Sequence, residues 1–220
     1  MYSGRYTPPA QGVPAHALAA GREVVRERIV TLFGEHQRAA EAFLQRETGS
    51  LEAAVRLLAE AFRAGRRVFF FGNGGSAADA QHLAAEFVNR FLRERPALPA
   101  LALTTDTSVL TSIANDRAYD EVFTRQLEAL AAEGDVAVAL STSGRSPSVV
   151  RGVEAARKLG LRTLVFTGAR GEALARAADV GLVVPSESTP RIQEMHMLAG
   201  HVLCEMVEAV LFEDRGPARS

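Results

Sequence analysis

Two side chains able to exchange protons, His82 and Glu86, lie four residues apart in a segment with helical apolar spacing. On a helix, positions i and i+4 share one face, so the imidazole and the carboxylate can act at one site. Leu83 and Phe87 can supply the core packing of the same helix, so the pair need not face the core. An ordinary surface ion pair is the alternative interpretation. A ligand-binding loop at the start of this helix would favour a functional site over a surface ion pair.

A second candidate group lies near the C-terminus, where Gln193, Met197 and His201 form an i, i+4, i+8 row. A histidine that faces the protein interior needs a hydrogen-bonding partner, because burying an unpaired polar group is costly. The alternative is a core histidine satisfied by a neighbour. His196 lies about 100° around the helix from Met197, and we interpret it as structural.

The glycine-rich loop Gly72–Gly75 precedes the helix of His82 and follows an apolar run that ends at Phe71. In open α/β sheets ligands bind at the carboxyl ends of strands. A helix N-terminus presents free N–H groups to an anion there, and glycines let a ligand approach the backbone closely. Ser76 is predicted to cap the helix. An ordinary strand–helix turn would have the same composition.

A hydroxyl-rich loop repeats this arrangement after the apolar run Val136–Leu140. It contains Ser141, Thr142, Ser143, Gly144 and Ser146. Hydroxyl and backbone N–H groups donate to phosphate oxygens, whereas a turn with local side-chain caps would use the same residues structurally. Two such loops after two core strands favour a phosphate site.

The elements that must position these loops alternate along the chain. Short continuous apolar runs predict strands covered on both faces: Val68–Phe71, Ala100–Leu103, Val136–Leu140, Thr163–Phe166 and Val180–Val184. Helical patterns separate them: Ala77–Leu92, Tyr119–Ala132, Ser148–Leu159 and Gly171–Ala177, with a last helix from about Pro190. This order predicts an α/β fold, a three-layer α/β/α sandwich with a central parallel sheet.

The N-terminal part of the chain is predicted to hold two further helices, Pro14–Glu47 and Ser50–Ala64, after a flexible tail over residues 1–13. Residues 14–220 are interpreted as a single domain. The long N-terminal helices have more apolar surface than one sheet needs, so we expect burial between subunits and therefore an oligomer.

The composition excludes several classes of function. A net charge of −1 argues against non-specific nucleic-acid binding. The single cysteine, Cys204, fits a reducing compartment and is interpreted as a small buried residue. We expect a cytoplasmic protein, because there is no signal peptide and no run of eighteen apolar residues. Lys158 is the only lysine and lies at a solvated helix end, which excludes Schiff-base and Walker-type P-loop chemistry.

Taken together, ordered segments from about Val68 to Phe212 resemble the phosphoheptose isomerases of the sugar isomerase (SIS) superfamily. They read GNGGS, DAQHLAAE, TSIANDRAYDEVF, GDVAVALSTSGRS and RIQEMHMLAGHVLCEMVE. The resemblance implies a flavodoxin-like SIS domain, a zinc cofactor, a cytoplasmic homotetramer and a phosphosugar substrate. The implied reaction converts D-sedoheptulose 7-phosphate to D-glycero-D-manno-heptose 7-phosphate for surface-glycan biosynthesis such as that of lipopolysaccharide.

The resemblance also assigns roles to individual residues. The implied zinc ligands are His82, Glu86, Gln193 and His201, and the implied acid/base pair is Glu86 and His201. The implied substrate contacts are Asn73, Gly74, Gly75, Glu86, Asn115, Asp116, Ser141, Thr142, Ser143, Ser146 and Gln193. Some family members have an aspartate three residues before the glutamine, where this chain has Pro190.

These residue types fit the implied chemistry. Ketose–aldose interconversion moves a proton between C1 and C2 through an enediol, which a positioned carboxylate and a second proton-exchanging group can perform. Zinc held by nitrogen and oxygen ligands would polarise the carbonyl. A carboxylate committed to the metal is a poorer base, so either the two roles of Glu86 alternate or one of them is absent.

Two other functions remain open at this stage. A related bacterial protein binds the DNA-replication initiator instead of catalysing, and parts of this chain resemble it as well. That relative lacks the catalytic pair, whereas Glu86 and His201 are both present here, which favours the enzyme. A SIS isomerase for another sugar phosphate is the other alternative, because the loops recognise the phosphate and not the carbon count.

Overall fold

The computed structural model describes residues 15–212, and the side chains of residue 21 and residues 23–212. The predicted tail over residues 1–13 lies outside the described residues. The chain divides into two units with the boundary between Arg38 and Ala39, inside helix α1 (Ala15–Arg63). In the first unit, apolar side chains such as Val24, Ile29 and Phe33 are exposed.

A five-stranded parallel sheet forms the centre of the second unit, with strand order β2-β1-β3-β4-β5. The strands are β1 (Val68–Gly72), β2 (Ala100–Ala102), β3 (Val136–Ser141), β4 (Arg162–Gly168) and β5 (Val180–Val184). Every residue of β1 and β3 is buried. The predicted strands and the flavodoxin-like α/β fold are therefore confirmed.

Helices cover both faces of the sheet. They are α2 (Gly75–Val88), α3 (Thr107–Asp116), α4 (Val122–Leu130), α5 (Pro147–Lys158), α6 (Glu172–Ala177) and α7 (Thr189–Phe212), with single 3-10 turns at Tyr119–Glu121 and Ala169–Gly171. The part of α1 after Ala39 packs with α2 and α7 on one face, around Phe70 and Phe166. Helices α4, α5 and α6 cover the other face, around Phe71 and Val165.

The helices differ from the sequence prediction at two places. The predicted break between two N-terminal helices does not occur, since α1 runs without interruption from Ala15 to Arg63 and includes Gly49. Helix α3 was not predicted, because its serines and threonines have little helix propensity. Its start is fixed instead by Asp106, whose carboxylate accepts a hydrogen bond from Val109 N at 2.9 Å.

Helix α7 is the one described helix that is long and apolar enough to cross a membrane. Its buried residues, among them Met195, Ala199 and Val207, pack in the hydrophobic core against the sheet. This packing accounts for its apolar composition. The opposite side of α7 carries an exposed apolar row formed by Leu198, Val202, Met206 and Val210.

Candidate active site

The strand order places the two predicted ligand loops side by side. Strands β1 and β3 are neighbours in register, with Gly72 opposite Leu140, so the loops that follow them leave the same edge of the sheet together. The chain order reverses direction in the sheet between β1 and β3, which is where ligands bind in folds of this type. The fold alone therefore brings the glycine-rich and hydroxyl-rich loops to one position.

Asn73 joins the two loops directly. Its side-chain amide donates to Ser146 Oγ at 2.7 Å and to Ser148 Oγ at 2.9 Å. Its side-chain carbonyl accepts from the hydroxyl of Tyr119 at 2.8 Å. Sequence reasoning missed Tyr119 and Ser148, because neither belongs to a recognisable chemical pattern. Asn73 is thereby held in one orientation by three partners on two other elements.

The glycine-rich loop enters α2 without the predicted serine cap. Gly74 takes the N-cap position with a φ of +58°, a left-handed conformation that favours glycine, and no side chain caps the helix. Ser76 is buried inside the first turn, so the prediction that it caps the helix was wrong. A Cβ atom built on Gly75 would lie 2.1 Å from Nε2 of Gln193, which shows how closely this loop approaches α7.

The hydroxyl-rich loop turns back on itself through local hydrogen bonds. Ser141 Oγ accepts from Gly144 N at 3.2 Å, and Ser143 Oγ accepts from Arg145 N at 3.2 Å. Gly144 has a φ of +62°. A small cavity of about 70 Å³ adjoins this loop, lined in part by Thr142, Ser143 and Thr189.

The candidate residues that the sequence places on two separate helices meet in the structure. His82 on α2 and His201 on α7 place their Nε2 atoms 2.9 Å apart, and Glu86 Oε1 lies 3.4 Å from His82 Nε2. Leu83 and Phe87 are buried in the core as predicted, which leaves the His82 face of α2 accessible. The partner that His201 requires is therefore His82.

Asn115 and Asp116 lie at the C-terminal end of α3, where the Asn115 amide donates to the Asp116 carboxylate at 2.7 Å. The structure records no hydrogen bond between these two side chains and the other predicted site residues in the part of the chain it describes. Tyr119, three residues after Asp116, provides the link from this segment to the glycine-rich loop.

Asp79 is a further acidic group of the site that sequence reasoning missed. It precedes His82 by one helical turn, and burial raises the pKa of its carboxyl group, an effect that the nearby His82 partly offsets. Its Oδ2 atom is buried and has no hydrogen-bond partner among the described residues. The i, i+3 spacing from His82 was the signal that could have identified it.

Two other titratable groups on α7 are structural. Burial lowers the pKa of His196 to about 4, so its imidazole is neutral, in agreement with the structural interpretation from the sequence. Burial, together with the charges of Glu86 and Glu208, raises the pKa of the Cys204 thiol to about 12. The thiol is therefore unreactive at neutral pH.

Known proteins share this arrangement of loops and helices. The SIS domain family matches residues 32–168. A phosphoheptose isomerase from Desulfovibrio desulfuricans is 55% identical over 172 residues, covering 78% of this chain and 81% of that protein. The chain belongs to the phosphoheptose isomerase family. A second member, from Thermodesulfovibrio yellowstonii, is 47% identical over 189 residues, covering 86% of this chain and 94% of its own.

A solved member of the family has the same fold. The phosphoheptose isomerase from Neisseria gonorrhoeae superposes with a TM-score of 0.80 at 39% identity, covering 84% of this chain and 99% of its own. The SIS domain match over residues 32–168 includes both loops and the helix that carries His82.

Proposed function

We propose that this chain interconverts D-sedoheptulose 7-phosphate and D-glycero-D-manno-heptose 7-phosphate, the activity for which its family is named. The observation that carries the proposal is the meeting of His82, Glu86 and His201 on helices α2 and α7, of which α2 begins at the glycine-rich loop. Relatives at 47–55% identity support the same reaction.

In the proposed mechanism, the loop over residues 141–146 binds the substrate phosphate with its hydroxyl and backbone N–H groups. This places the carbonyl end of the sugar near Glu86. Glu86 removes a proton from C1 of the ketose, and the electron pair forms the C1–C2 double bond while the C2 oxygen takes a proton from His201. His201 then removes the proton of the C1 hydroxyl, C1 becomes the aldehyde, and Glu86 returns its proton to C2.

We further propose that zinc binds at His82, Glu86, Gln193 and His201. Within the described residues, no group of three or more His, Cys, Asp or Glu side chains is arranged as a metal site. Two imidazole nitrogens and a carboxylate oxygen are nevertheless ligands that zinc takes, and nitrogens 2.9 Å apart can both reach one ion at about 2.0–2.1 Å. When bound, zinc would polarise the substrate carbonyl.

The exposed apolar surface supports a homo-oligomer, which we propose is a tetramer. Leu198, Val202, Met206 and Val210 form a continuous exposed row on α7, and the first unit exposes further apolar side chains on α1. A second copy of the chain is a suitable cover for both surfaces. We propose a cytoplasmic location, where sugar phosphates occur, and a role of the heptose product in surface glycans such as lipopolysaccharide.

Incubation of the purified chain with D-sedoheptulose 7-phosphate, with and without added zinc, tests the proposed reaction. The product is followed by NMR as an aldoheptose 7-phosphate, and fructose 6-phosphate serves as the comparison for carbon count. Conversion of the heptulose alone supports the assignment. Conversion of only the hexose would show that the chain is a SIS isomerase for another sugar phosphate.

A further inference from the structure

A buried ion pair that no step of the proposed mechanism uses joins the loop after α2 to α7, the helix of His201. Arg95, in the loop after α2, pairs with Glu208 on α7 through Nε and Oε1 at 2.9 Å. Both side chains are only 1% exposed. Burying two charges costs several kcal/mol of desolvation each, so a pair of this kind is weak evidence for stability as such. Its hydrogen bonds indicate what else it does.

Arg95 holds the C-terminal end of α2. Its Nη2 donates to the backbone carbonyl of Glu86 at 2.7 Å, and its Nη1 donates to the carbonyl of Phe87 at 2.8 Å. Carbonyls in the last turn of a helix have no partner within the helix. The guanidinium therefore fixes the backbone of the residue proposed as the base.

Glu208 holds the loop that follows α2. Its carboxylate accepts from the backbone N–H groups of Phe91 at 2.7 Å, Leu92 at 2.9 Å and Arg93 at 3.1 Å. These bonds and the Arg95 guanidinium lower the pKa of Glu208 against the effect of burial, so the carboxylate is charged. Three consecutive backbone donors on one carboxylate leave this loop little freedom.

The loop in turn touches a histidine of the site. The ring of Phe91 lies with its centroid 5.4 Å from that of His201, at an interplanar angle of 31°. Glu208 is seven residues after His201, two turns along α7. One carboxylate therefore connects the helix that carries His201 to the aromatic ring that packs against it.

We propose that the Arg95–Glu208 pair is a positioning device that sets the relative placement of α2 and α7 at the active site. Arg95 fixes the last turn of the helix of His82, and Glu208 fixes Phe91 against His201. The inference rests on the proposed isomerase function for its kinetic readout, but its structural readout does not depend on that function.

Glu208→Gln tests the proposal, with Asp135→Asn as the matched control. Asp135 is also a buried carboxylate that accepts two backbone N–H bonds, from Arg67 and Ala132, and pairs with the Arg67 guanidinium at 3.1 Å. It precedes β3, at the end of the sheet opposite to the loops. Both variants remove one buried charge, but only Glu208→Gln removes a group that holds Phe91 against His201.

Both variants are measured below their melting temperatures, with folding checked by circular dichroism. Because misplacement by about 1 Å can cost about 100-fold in rate, Glu208→Gln is expected to lower kcat by about 10- to 100-fold. KM for sedoheptulose 7-phosphate should change less than about 3-fold, since the proposed phosphate loop over residues 141–146 lies on other elements. The imidazole resonances of His82 and His201 should shift in ¹H–¹⁵N NMR spectra. Asp135→Asn should leave kcat and both resonances unchanged.

Phe91 provides a test that does not disturb the ion pair, for the case in which Glu208→Gln fails to fold. Phe91→Leu should lower kcat and shift the His201 resonance, whereas Phe91→Tyr, which keeps the ring, should restore both. A folded Glu208→Gln or a Phe91→Leu variant with wild-type kcat and unshifted imidazole resonances would overturn the proposal. If the wild-type chain turns over no sugar phosphate, shifted resonances in Glu208→Gln but not in Asp135→Asn still support positioning, while the proposed function fails.

Discussion

The Nε2 atoms of His82 and His201 lie 2.9 Å apart although 119 positions separate them in the chain. In a hydrogen bond between two imidazoles, one Nε2 donates and the other accepts. Glu86 approaches the same His82 nitrogen at 3.4 Å. Two imidazoles and a carboxylate therefore meet at one point, and these are the group types that can exchange protons with a substrate.

Replacement of the proposed base gives the first prediction. Glu86→Gln keeps the shape of the side chain but removes its basicity, so kcat should fall by roughly 10²–10⁴-fold. His201→Asn should have a similar effect. The double variant should lower kcat by much less than the product of the two single reductions, because the effects of groups that act together are not additive. Steady-state kinetics on the three variants checks this.

Metal content has to be measured in the same variants, because loss of zinc would imitate loss of a base. Turnover at the wild-type rate in both single variants, with bound zinc unchanged, would show that Glu86 and His201 are structural.

The hydroxyl-rich loop should control KM. Ser143→Ala or Ser146→Ala is expected to weaken binding of the phosphosugar by roughly 1–3 kcal/mol each, if the hydroxyl bonds a charged phosphate oxygen. Ser146→Ala also removes a partner of Asn73, so it should have the larger effect. Unaltered KM values in both variants would mean that this loop does not bind the phosphate.

The two neighbouring glycines of the first loop should respond differently to alanine. A Cβ at Gly75 would meet the end of the Gln193 side chain at 2.1 Å, which can move away at little cost in stability. Gly75→Ala should therefore displace Gln193 and lower kcat/KM while the melting temperature stays close to wild type. At Gly74 there is open space but a φ of +58°, so Gly74→Ala should lose about 1–2 kcal/mol of stability through backbone strain.

Thermal melts and kinetics on both glycine variants distinguish these effects. Full activity in Gly75→Ala would indicate that the position of Gln193 does not matter for the reaction.

The sequence predicted the parts of this molecule that depend on local pattern. Strand β5 was placed at its observed ends, because a continuous apolar run bounded by Asp179 and Pro185 has few other interpretations. The His82–Glu86 pairing also follows from helical spacing alone. Helix α3 was missed because its serines and threonines have little helix propensity, and Asp106, a residue type favoured at helix N-caps, was the local signal for its start.

The rest of the site depends on long-range packing. The contact between His82 and His201 depends on how α7 packs against α2. The local sequence pattern does not determine that packing. Tyr119 reaches Asn73 because the chain turns after α3. The residues next to Tyr119 in the chain gave no indication of this contact with the glycine-rich loop. The Ser76 prediction was wrong because Gly74 occupies the cap position with a conformation that a serine rarely adopts.

Protonation of His196 should destabilise the fold at acidic pH. Burial lowers its folded-state pKa to about 4 from an ordinary value of 6.5, so the unfolded chain takes up a proton first as the pH falls. The stability from the neutral imidazole is fully present above pH 6.5 and is lost between 6.5 and about 4. The loss can reach about 3 kcal/mol at still lower pH.

Urea unfolding of the wild type and of His196→Gln, at pH values from 7 to 4.5, checks this loss. The difference in unfolding free energy between them should shrink as the pH falls. A difference that is constant with pH would show that His196 does not titrate as its burial implies.

The central claim, proton transfer between C1 and C2 of a heptose phosphate, is tested most directly by isomerisation in D₂O. The purified chain, supplied with zinc, is incubated with D-sedoheptulose 7-phosphate, and the aldose product is examined by mass spectrometry and NMR. The expected result is an aldoheptose 7-phosphate that carries deuterium at C2, with no label incorporated by the Glu86→Gln variant. Because the proton on Glu86 exchanges with D₂O while the enediol is bound, an unlabelled aldose would contradict proton transfer through Glu86, and a ketose left unchanged would contradict the isomerase function itself.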